Sequence, residues 1–291
     1  MIGNSNRSDT QGLVEKEISL FEEEHEKFFV AGETKPKDIG RPFLLHRPED
    51  HSSVLLIHGF MAAPYEVREW AEHLFSHGHS VFAPRLPGHG TSADDLEKRS
   101  FPEWVNAVER GYSILQTLGK PVIVAGFSTG AGIALHQAIC HPHQYKAVIS
   151  ISAPMKFKSL SSYLTGVLEK WNRLCHLKEL GRFQKKFAVN HPDNPEINYR
   201  RCPIHGFNQV KHLMRNVHRR LPEISIPALI VQGNRDPKVS PKAGRMIFER
   251  LGSVDKRYVE IDHHEHGIVR GRPGQLVFSA VQDFLSRYTG S

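Results

Sequence analysis

Gly126-Phe127-Ser128-Thr129-Gly130 sets the architecture of this chain, because a serine lies there between two glycines at the junction of two different periodicities. An apolar run, Pro121 to Ala125, precedes the pentapeptide, and a helix-like run, Ala131 to Cys140, follows it. A G-x-S-x-G sequence between a buried strand and a helix places its serine on a sharp turn, since only glycines let the two backbones approach so closely. The Ser128 hydroxyl is therefore predicted to be held out at the end of a sheet, above the positive end of a helix.

Strand-like and helix-like segments alternate on both sides of this pentapeptide. Apolar runs predict strands at 53–57, 79–83, 122–125, 147–152, 228–232 and 256–261, and helical patterns occupy 64–76, 101–118, 241–251 and 273–288. Such alternation is typical of an α/β protein with a mostly parallel central sheet and helices on both faces.

The alternation stops between residues 155 and 222, where broken helical patterns surround Pro192, Pro195 and Pro203. We interpret this segment as an inserted helical cap. The predicted domain organisation is an N-terminal amphipathic helix and lead-in (1–42), a first part of the α/β core (43–154), the cap or lid insertion (155–222) and a second part of the core (223–291).

The N-terminal helix is predicted from an apolar stripe. Its residues follow a spacing of 4, 3, 4 and 3, with glutamates at many of the other positions: Val14, Ile18, Phe21, His25 and Phe28. This is the pattern of an amphipathic helix. We expect the stripe to pack onto the main domain; a dimer contact and a flap over the functional site are the alternatives.

Basic residues concentrate in the predicted cap. The net charge is +7, but residues 155–220 contain 14 Lys and Arg against 4 Asp and Glu, whereas the rest of the chain contains 24 against 27. This charge is either a solvated helical surface or an attraction for an anionic substrate, acyl carrier or lipid surface. No nucleic acid partner is expected, because the basic residues follow no binding motif and no aromatic stacking series.

Composition also predicts a compartment. Cys140, Cys175 and Cys202 are odd in number and lack C-x-x-C or metal-ligand spacing, which favours free thiols in a reducing environment. The polar residues 1–11 do not resemble a signal peptide, and no window approaches the roughly 18 apolar residues of a membrane span. A cytoplasmic protein is therefore expected.

A nucleophilic serine needs a base that a carboxylate orients, and both should follow it on loops at the ends of later strands. Asp236 comes just after the strand that ends at Gln232, and three histidines, His263, His264 and His266, come just after the strand that ends at Ile261. A histidine with a pKa of about 6.5 can take and return a proton at neutral pH. Spacing alone does not choose among the three, and zinc binding by this loop is disfavoured because no further ligand set is apparent.

Two backbone amides are candidates for stabilising an oxyanion. One is the N–H of Thr129, at the start of the helix after the serine, and the other is the N–H of Phe60, in the turn His58-Gly59-Phe60-Met61 after the first apolar strand. His58 precedes the serine in the chain, so we interpret it as a packed or hydrogen-bonded structural histidine.

These motifs together resemble the α/β-hydrolases, and more narrowly the bacterial carboxylesterases and monoacylglycerol lipases. The resemblance covers residues 53–288 and rests on Leu56-Ile57-His58-Gly59-Phe60, Pro84-Arg85-Leu86-Pro87-Gly88-His89-Gly90, Gly126-Phe127-Ser128-Thr129-Gly130, Ser152-Ala153-Pro154-Met155, Pro227-Ala228-Leu229-Ile230-Val231-Gln232-Gly233 and Asp236. It implies the α/β-hydrolase fold and selects His266 as the base, because Gly267-Ile268-Val269 follows it and Phe284-Leu285 lies some eighteen positions on.

The resemblance implies a full set of site residues: Ser128 as nucleophile, Asp236 as acid, and Phe60 and Thr129 as oxyanion-hole amides. This chain departs from the family at Thr129, where Leu or Met is usual, and at Gly267, where an apolar residue is usual. Both departures bear on the shape of the acyl pocket.

The expected function is hydrolysis of a small-molecule carboxylic ester with a medium or long acyl chain, with no cofactor and no metal. A thioesterase acting on acyl-CoA or a carrier-bound chain, a carbon–carbon bond hydrolase and a non-catalytic binding protein are the alternatives. The cap is expected to roof an acyl tunnel, with candidate lining residues Leu160, Tyr163, Leu164, Val167 and Leu168.

Overall fold

A computed structural model of the chain describes residues 3–158 and 185–288. The described residues form nine strands: β1 (Phe43–Leu45), β2 (Ser52–Ile57), β3 (His79–Ala83), β4 (Val122–Phe127), β5 (Ala147–Ile151), β6 (Phe187–Val189), β7 (Arg201–Pro203), β8 (Ala228–Gly233) and β9 (Lys256–Ile261). Seven of them make one sheet in the order β1-β3-β2-β4-β5-β8-β9, and β6 and β7 make a separate antiparallel pair. In the large sheet only β1 runs antiparallel to its neighbour.

The described helices are α1 (Gly3–Lys27), α2 (Lys37–Gly40), α3 (Arg68–Ser76), α4 (Ala93–Leu96), α5 (Phe101–Gln116), α6 (Thr129–Cys140), α7 (Ile204–Arg220), α8 (Lys242–Arg250) and α9 (Gly271–Leu285). Short 3₁₀ helices span Pro64–Val67 and Leu221–Glu223. The predicted helix at 64–76 is thus a 3₁₀ turn that continues into α3.

The core lies on both faces of the sheet. Side chains alternate along β2, so that Leu55 and Ile57 belong to one apolar cluster and Val54 and Leu56 to the other. The central strands β2, β4, β5 and β8 are buried along their whole length. This is the arrangement expected when helices cover both faces of a parallel sheet, and the predicted α/β-hydrolase fold is confirmed.

The N-terminal helix packs on the main domain, as predicted from its apolar stripe. Val14 and Phe21 are buried, and a carbon atom added at Gly40 would lie 2.5 Å from the nearest atom of the Phe21 ring. Glu24 adds ion pairs to Arg85 and, at 2.8 Å, to Arg99. The helix is therefore held to the domain by both apolar burial and charge.

The described part of the predicted cap contains β6, β7 and α7. The strand pair was not predicted, because its strands have three residues each and their side chains show no clear alternation of buried and exposed positions. Arg201 of β7 makes two hydrogen bonds to Glu33, at 2.6 and 2.9 Å. The five candidate tunnel residues, Leu160, Tyr163, Leu164, Val167 and Leu168, lie outside the described residues.

Candidate active site

Ser128 occupies the single position between β4 and α6. Its backbone has φ 54° and ψ −119°, a conformation that residues with a side chain rarely adopt. The flanking glycines make this turn possible, because a carbon atom added at Gly126 would collide with the Gly130 backbone. One added at Gly130 would collide with the Ile57 carbonyl oxygen and lie 2.5 Å from that of His58. The strained turn holds the Ser128 side chain at the carboxyl end of the sheet.

A chain of hydrogen bonds joins Ser128, His266 and Asp236. The Oγ of Ser128 lies 2.9 Å from His266 Nε2, and His266 Nδ1 lies 2.6 Å from Asp236 Oδ2. The other carboxylate oxygen, Oδ1, accepts the backbone N–H groups of Lys238 at 2.8 Å and Val239 at 2.9 Å. Loops after β4, β8 and β9 thus bring together three residues that are far apart in the sequence.

The positions of the hydrogens in this series of hydrogen bonds follow from the environment of Asp236. Burial by itself raises the pKa of Asp236, but the hydrogen bond and charge of His266 and the N–H groups of Val239 and Lys238 outweigh it, so the pKa lies below its ordinary value. An ionised carboxylate only accepts hydrogen bonds, so Nδ1 of the imidazole carries a hydrogen. In the neutral ring Nε2 is then free to accept the Ser128 hydroxyl proton.

The other two loop histidines lie elsewhere. The His264 side chain is 71% exposed, and His263 lies 3.7 Å from Glu265. Of the three histidines that spacing left open, His266 is the one whose ring the structure places against Ser128.

A cavity of about 310 Å³ opens beside Ser128 and His266. Its apolar wall includes Phe60, Phe157, Phe207 and Val210, and its polar part includes asparagines from the residues before β7: Asn190, Asn194 and Asn198. Phe60 and Thr129, the two candidate oxyanion donors, both line the cavity. The site therefore combines an apolar wall with a few polar groups, as small-molecule sites commonly do.

Gly267 faces the same cavity. A carbon atom added there would lie 3.4 Å from the Asn194 side-chain amide. The residue after His266 is therefore close to Asn194, which belongs to the predicted cap, and its small size leaves room for the Asn194 side chain.

His58 is buried and hydrogen-bonded, which confirms the prediction of a structural histidine. Its Nδ1 lies 2.9 Å from the Gly59 carbonyl oxygen, and its Nε2 accepts the Leu86 N–H at 3.2 Å. Burial lowers the pKa of His58 to about 4, so the ring is neutral.

Sequence patterns gave no indication that Glu66, a buried carboxyl group, lies in the cavity wall. An acidic residue near the start of a predicted helix is common, because it favours the helix N-terminus. No local signal separated Glu66 from that ordinary role; only the fold brings it to the site.

Residues 3–158 and 185–288 offer neither a cluster of metal ligands nor a helix suited to span a bilayer. Within those ranges no group of three or more His, Cys, Asp or Glu side chains is arranged to hold a metal ion. None of the helices there has the length and apolar character needed to cross a bilayer.

Comparison with known proteins assigns the chain to a family. Residues 48–272 match the Hydrolase_4 family, described as serine aminopeptidase, S33. The chain is 30% identical over 239 residues to the thermostable monoacylglycerol lipase of Bacillus sp. (strain H-257), covering 81% of this chain and 91% of that protein. It is 26% identical to the carboxylesterase of Bacillus subtilis (strain 168), covering 81% and 92%.

A solved structure supports the same fold. The monoacylglycerol lipase of Paleococcus ferrophilus superposes with a TM-score of 0.71 at 22% identity, covering 85% of this chain and 98% of that one. With its Ser128 turn, its mostly parallel sheet and its match over most of its length, the chain belongs to the serine aminopeptidase S33 (Hydrolase_4) family of α/β-hydrolases.

Proposed function

We propose that this protein is a serine hydrolase that cleaves carboxylic esters with a medium or long acyl chain through an acyl-enzyme on Ser128. The observation that carries the proposal is the hydrogen-bonded series Ser128–His266–Asp236 beside an apolar cavity of about 310 Å³. The similarity to a monoacylglycerol lipase and a carboxylesterase supports ester hydrolysis as the reaction.

The first half of the proposed reaction forms the acyl-enzyme. Ser128 Oγ attacks the ester carbonyl carbon while His266 Nε2 takes the hydroxyl proton, and Asp236 holds the imidazole by its Nδ1–H. The tetrahedral intermediate collapses when the bond to the alcohol oxygen breaks. His266 gives its proton to that oxygen, so the alcohol leaves neutral and the acyl group stays on Ser128.

The second half releases the acid. A water molecule attacks the acyl carbonyl carbon and gives a proton to His266 Nε2. His266 then returns a proton to Ser128 Oγ as the bond between that oxygen and the acyl carbon breaks. The products are a carboxylic acid and the free serine, so no cofactor is consumed.

The backbone N–H groups of Phe60 and Thr129 are the proposed donors to the oxyanion. Thr129 is the first residue of α6, where the N–H groups lack partners within the helix and the helix dipole is positive. One such donor contributes roughly 10² to 10³ in kcat in a serine protease. These amides stabilise charge that exists only after Ser128 has attacked.

The acyl chain is proposed to lie along the apolar wall formed by Phe60, Phe157 and Phe207. Phe157 and Phe207 pack against each other with ring centroids 4.8 Å apart and ring planes tilted by 53°, and Phe207 lies on α7, within the proposed cap of residues 155–222. Burial of each methylene against such a wall contributes about 0.8 kcal/mol, which favours longer chains over acetate.

One observation favours a second candidate, an acyl thioester carried by coenzyme A or by a protein. A neighbouring cavity of about 620 Å³ shares Pro154 and Phe157 with the first. Its lining includes the basic side chains of Lys156, Arg215 and Arg219. An anionic carrier would find positive charge beside the proposed acyl site, whereas a neutral ester would not need it.

A fluorophosphonate probe and a series of p-nitrophenyl esters test the proposal. The wild type should be labelled and should prefer medium or long chains, while Ser128→Ala should lose labelling and fall to residual activity. His266→Ala should lose most of its ester hydrolysis, whereas His264→Ala, at an exposed loop position, should keep a kcat close to that of the wild type. Labelling of Ser128→Ala, or wild-type turnover by that variant, would refute the serine mechanism.

The proposed compartment remains the cytoplasm. Cys140 and Cys202 are free cysteines in the described residues, which supports a reducing environment, and Cys175 lies outside them.

A further inference from the structure

Glu66 is a buried carboxyl group that the proposed mechanism leaves without a role. It lies on the 3₁₀ helix Pro64–Val67 and is only 6% exposed, yet it lines the cavity beside Ser128. Its Oε2 accepts the backbone N–H of Gly59 at 2.7 Å. A carbon atom added at Gly59 would lie 3.0 Å from this oxygen and 3.3 Å from Ser128 Cβ. The carboxyl group therefore lies against the turn that carries the Phe60 amide.

A second side chain holds the other side of Gly59. The Leu86 N–H donates to His58 Nε2, so that nitrogen carries no hydrogen in the neutral ring and Nδ1 does. His58 Nδ1 therefore donates to the Gly59 carbonyl oxygen, at 2.9 Å, and the Ala62 N–H donates to the same oxygen at 3.4 Å. Both polar groups of Gly59 are engaged, its N–H by Glu66 and its carbonyl by His58 and Ala62.

These bonds determine where the Phe60 N–H points. The peptide between Gly59 and Phe60 is planar and trans, so its N–H lies opposite the Gly59 carbonyl oxygen. Glycine by itself permits many backbone angles, including those that would turn this N–H out of the site. Rotation of the turn would break the bond to Glu66 or the bonds to the Gly59 carbonyl oxygen.

We infer that Glu66 is a positioning residue, whose carboxyl group holds the His58-Gly59-Phe60 turn in the orientation that aims the Phe60 N–H at the oxyanion. The inference rests on the proposed function, because it assigns Glu66 to the stabilisation of that oxyanion. Glu66 acts through the backbone and takes no part in bond making.

The charged groups around Glu66 are engaged elsewhere, so its carboxyl group fits a role as a hydrogen-bond acceptor better than a role in an ion pair. Lys238 and Arg270 face it at longer range, but Lys238 pairs with Asp193 at 3.1 Å and Arg270 contacts Glu69 and Glu196. His266 also faces it. Burial raises the pKa of Glu66 to about 7, which means that an acid at this position lowers stability at neutral pH. Its hydrogen bond to the turn gives a reason for its presence.

Three substitutions test the inference. Glu66→Ala and Glu66→Leu both remove the hydrogen-bond acceptor. Leucine keeps most of the side-chain volume, so Glu66→Leu is the variant to compare with the wild type if Glu66→Ala does not fold. Each should lower kcat by about 10- to 100-fold with KM changed less than about threefold, since one oxyanion donor is worth roughly 10² to 10³ when lost entirely. Glu66→Gln keeps an oxygen acceptor for the Gly59 N–H and should restore kcat to within about threefold of the wild type.

A trifluoromethyl ketone that forms a tetrahedral adduct on Ser128 provides the second readout. Its affinity should fall in Glu66→Leu by the same factor as kcat, because the adduct needs the aimed amide. Asp50→Ala is the matched control: Asp50 is also a buried carboxyl that accepts a backbone N–H, from Arg47 at 2.8 Å, but it precedes β2 at the opposite end of the sheet. That variant should lose thermal stability and keep wild-type kcat and inhibitor affinity.

Two results would overturn the inference. One is a folded Glu66→Leu protein with wild-type kcat and inhibitor affinity, and the other is a Glu66→Gln protein as impaired as Glu66→Leu. Both leave the serine mechanism intact, because fluorophosphonate labelling of the wild type reports on Ser128 alone. Failure of the wild type to be labelled would instead remove the proposed function on which the inference rests.

Discussion

Replacing Asp236 by asparagine should disable the enzyme without removing any side chain from the site. Asp236 Oδ1 accepts two backbone N–H groups, from Lys238 and Val239, and Oδ2 accepts the His266 Nδ1–H. The asparagine side chain has only one oxygen, and this oxygen will take the Oδ1 position, where it accepts the N–H groups of Lys238 and Val239. The amide NH₂ then faces His266 and donates to Nδ1, so the neutral imidazole carries its hydrogen on Nε2 and cannot take the Ser128 proton.

The size of the loss in kcat follows from the free-energy cost of the opposite orientation of the asparagine amide. Turning the amide over would restore the acceptor to His266 but leave the buried Val239 N–H and the part-buried Lys238 N–H facing NH₂, at about 1–3 kcal/mol each. The productive orientation is then populated at about one part in 30 to one part in 10⁴, because each 1.4 kcal/mol is a factor of ten. The same carboxylate-to-amide change lowers kcat by about 10⁴ in a serine protease. We therefore expect a loss between about 30-fold and 10⁴-fold.

Steady-state hydrolysis of p-nitrophenyl butyrate measures this loss, and a thermal melt verifies that the variant is folded. Asp50→Asn makes the same chemical change at another buried carboxylate that accepts a backbone N–H, and it should keep kcat within about threefold. A folded Asp236→Asn protein with kcat within tenfold of the wild type would show that Asp236 does not select the His266 tautomer.

Three further outcomes are expected. Gly130→Ala, whose added carbon collides with backbone carbonyl oxygens, should lower the free energy of unfolding in urea by more than about 3 kcal/mol. The control Gly12→Ala, whose added carbon has nothing within 4 Å, should be neutral or stabilising by up to about 1 kcal/mol, and equal effects of the two substitutions would contradict the packing of the Ser128 turn. Burial raises the pKa of Glu66 from 4.5 to about 7, so the unfolded chain releases this proton at lower pH and the wild type loses stability as the pH rises from about 4.5 to 7. Relative to the wild type, Glu66→Gln should gain on the order of 3 kcal/mol in the free energy of unfolding over that window, and a difference between the two proteins that does not change with pH would contradict the raised pKa. If Arg215 and Arg219 attract an anionic acyl carrier, kcat/KM for an acyl-CoA should fall between about 0.01 and 0.1 M salt, where the Debye length shrinks from about 30 to 10 Å, and charge reversal at both positions should weaken that reaction but spare a neutral ester. Equal salt responses for the two substrates would show that the basic residues of this neighbouring cavity are only a solvated surface.

The strands and helices of the core were largely predictable, because their signals are local. Buried parallel strands are continuous apolar runs, and β3 and β9 begin and end at the predicted residues. β1 was missed for the converse reason, since its three half-buried residues show no alternation and form a strand only by pairing with β3. The β6–β7 pair was missed in the same way.

The sequence by itself determined the strained turn at Ser128 and the chain order of serine, acid and histidine, because glycine spacing and strand order are properties of the chain. Spacing left His263, His264 and His266 open, and only the resemblance to known families selected His266. The tertiary structure decided that its ring lies 2.9 Å from Ser128 Oγ, because the fold sets the direction of each ring on this shared loop. It also brought Glu66 to Gly59, seven residues earlier, which no local pattern indicated. Periodicity encodes which face of an element is buried, whereas a hydrogen bond depends on positions within a few tenths of an ångström, and these exist only once the core has packed.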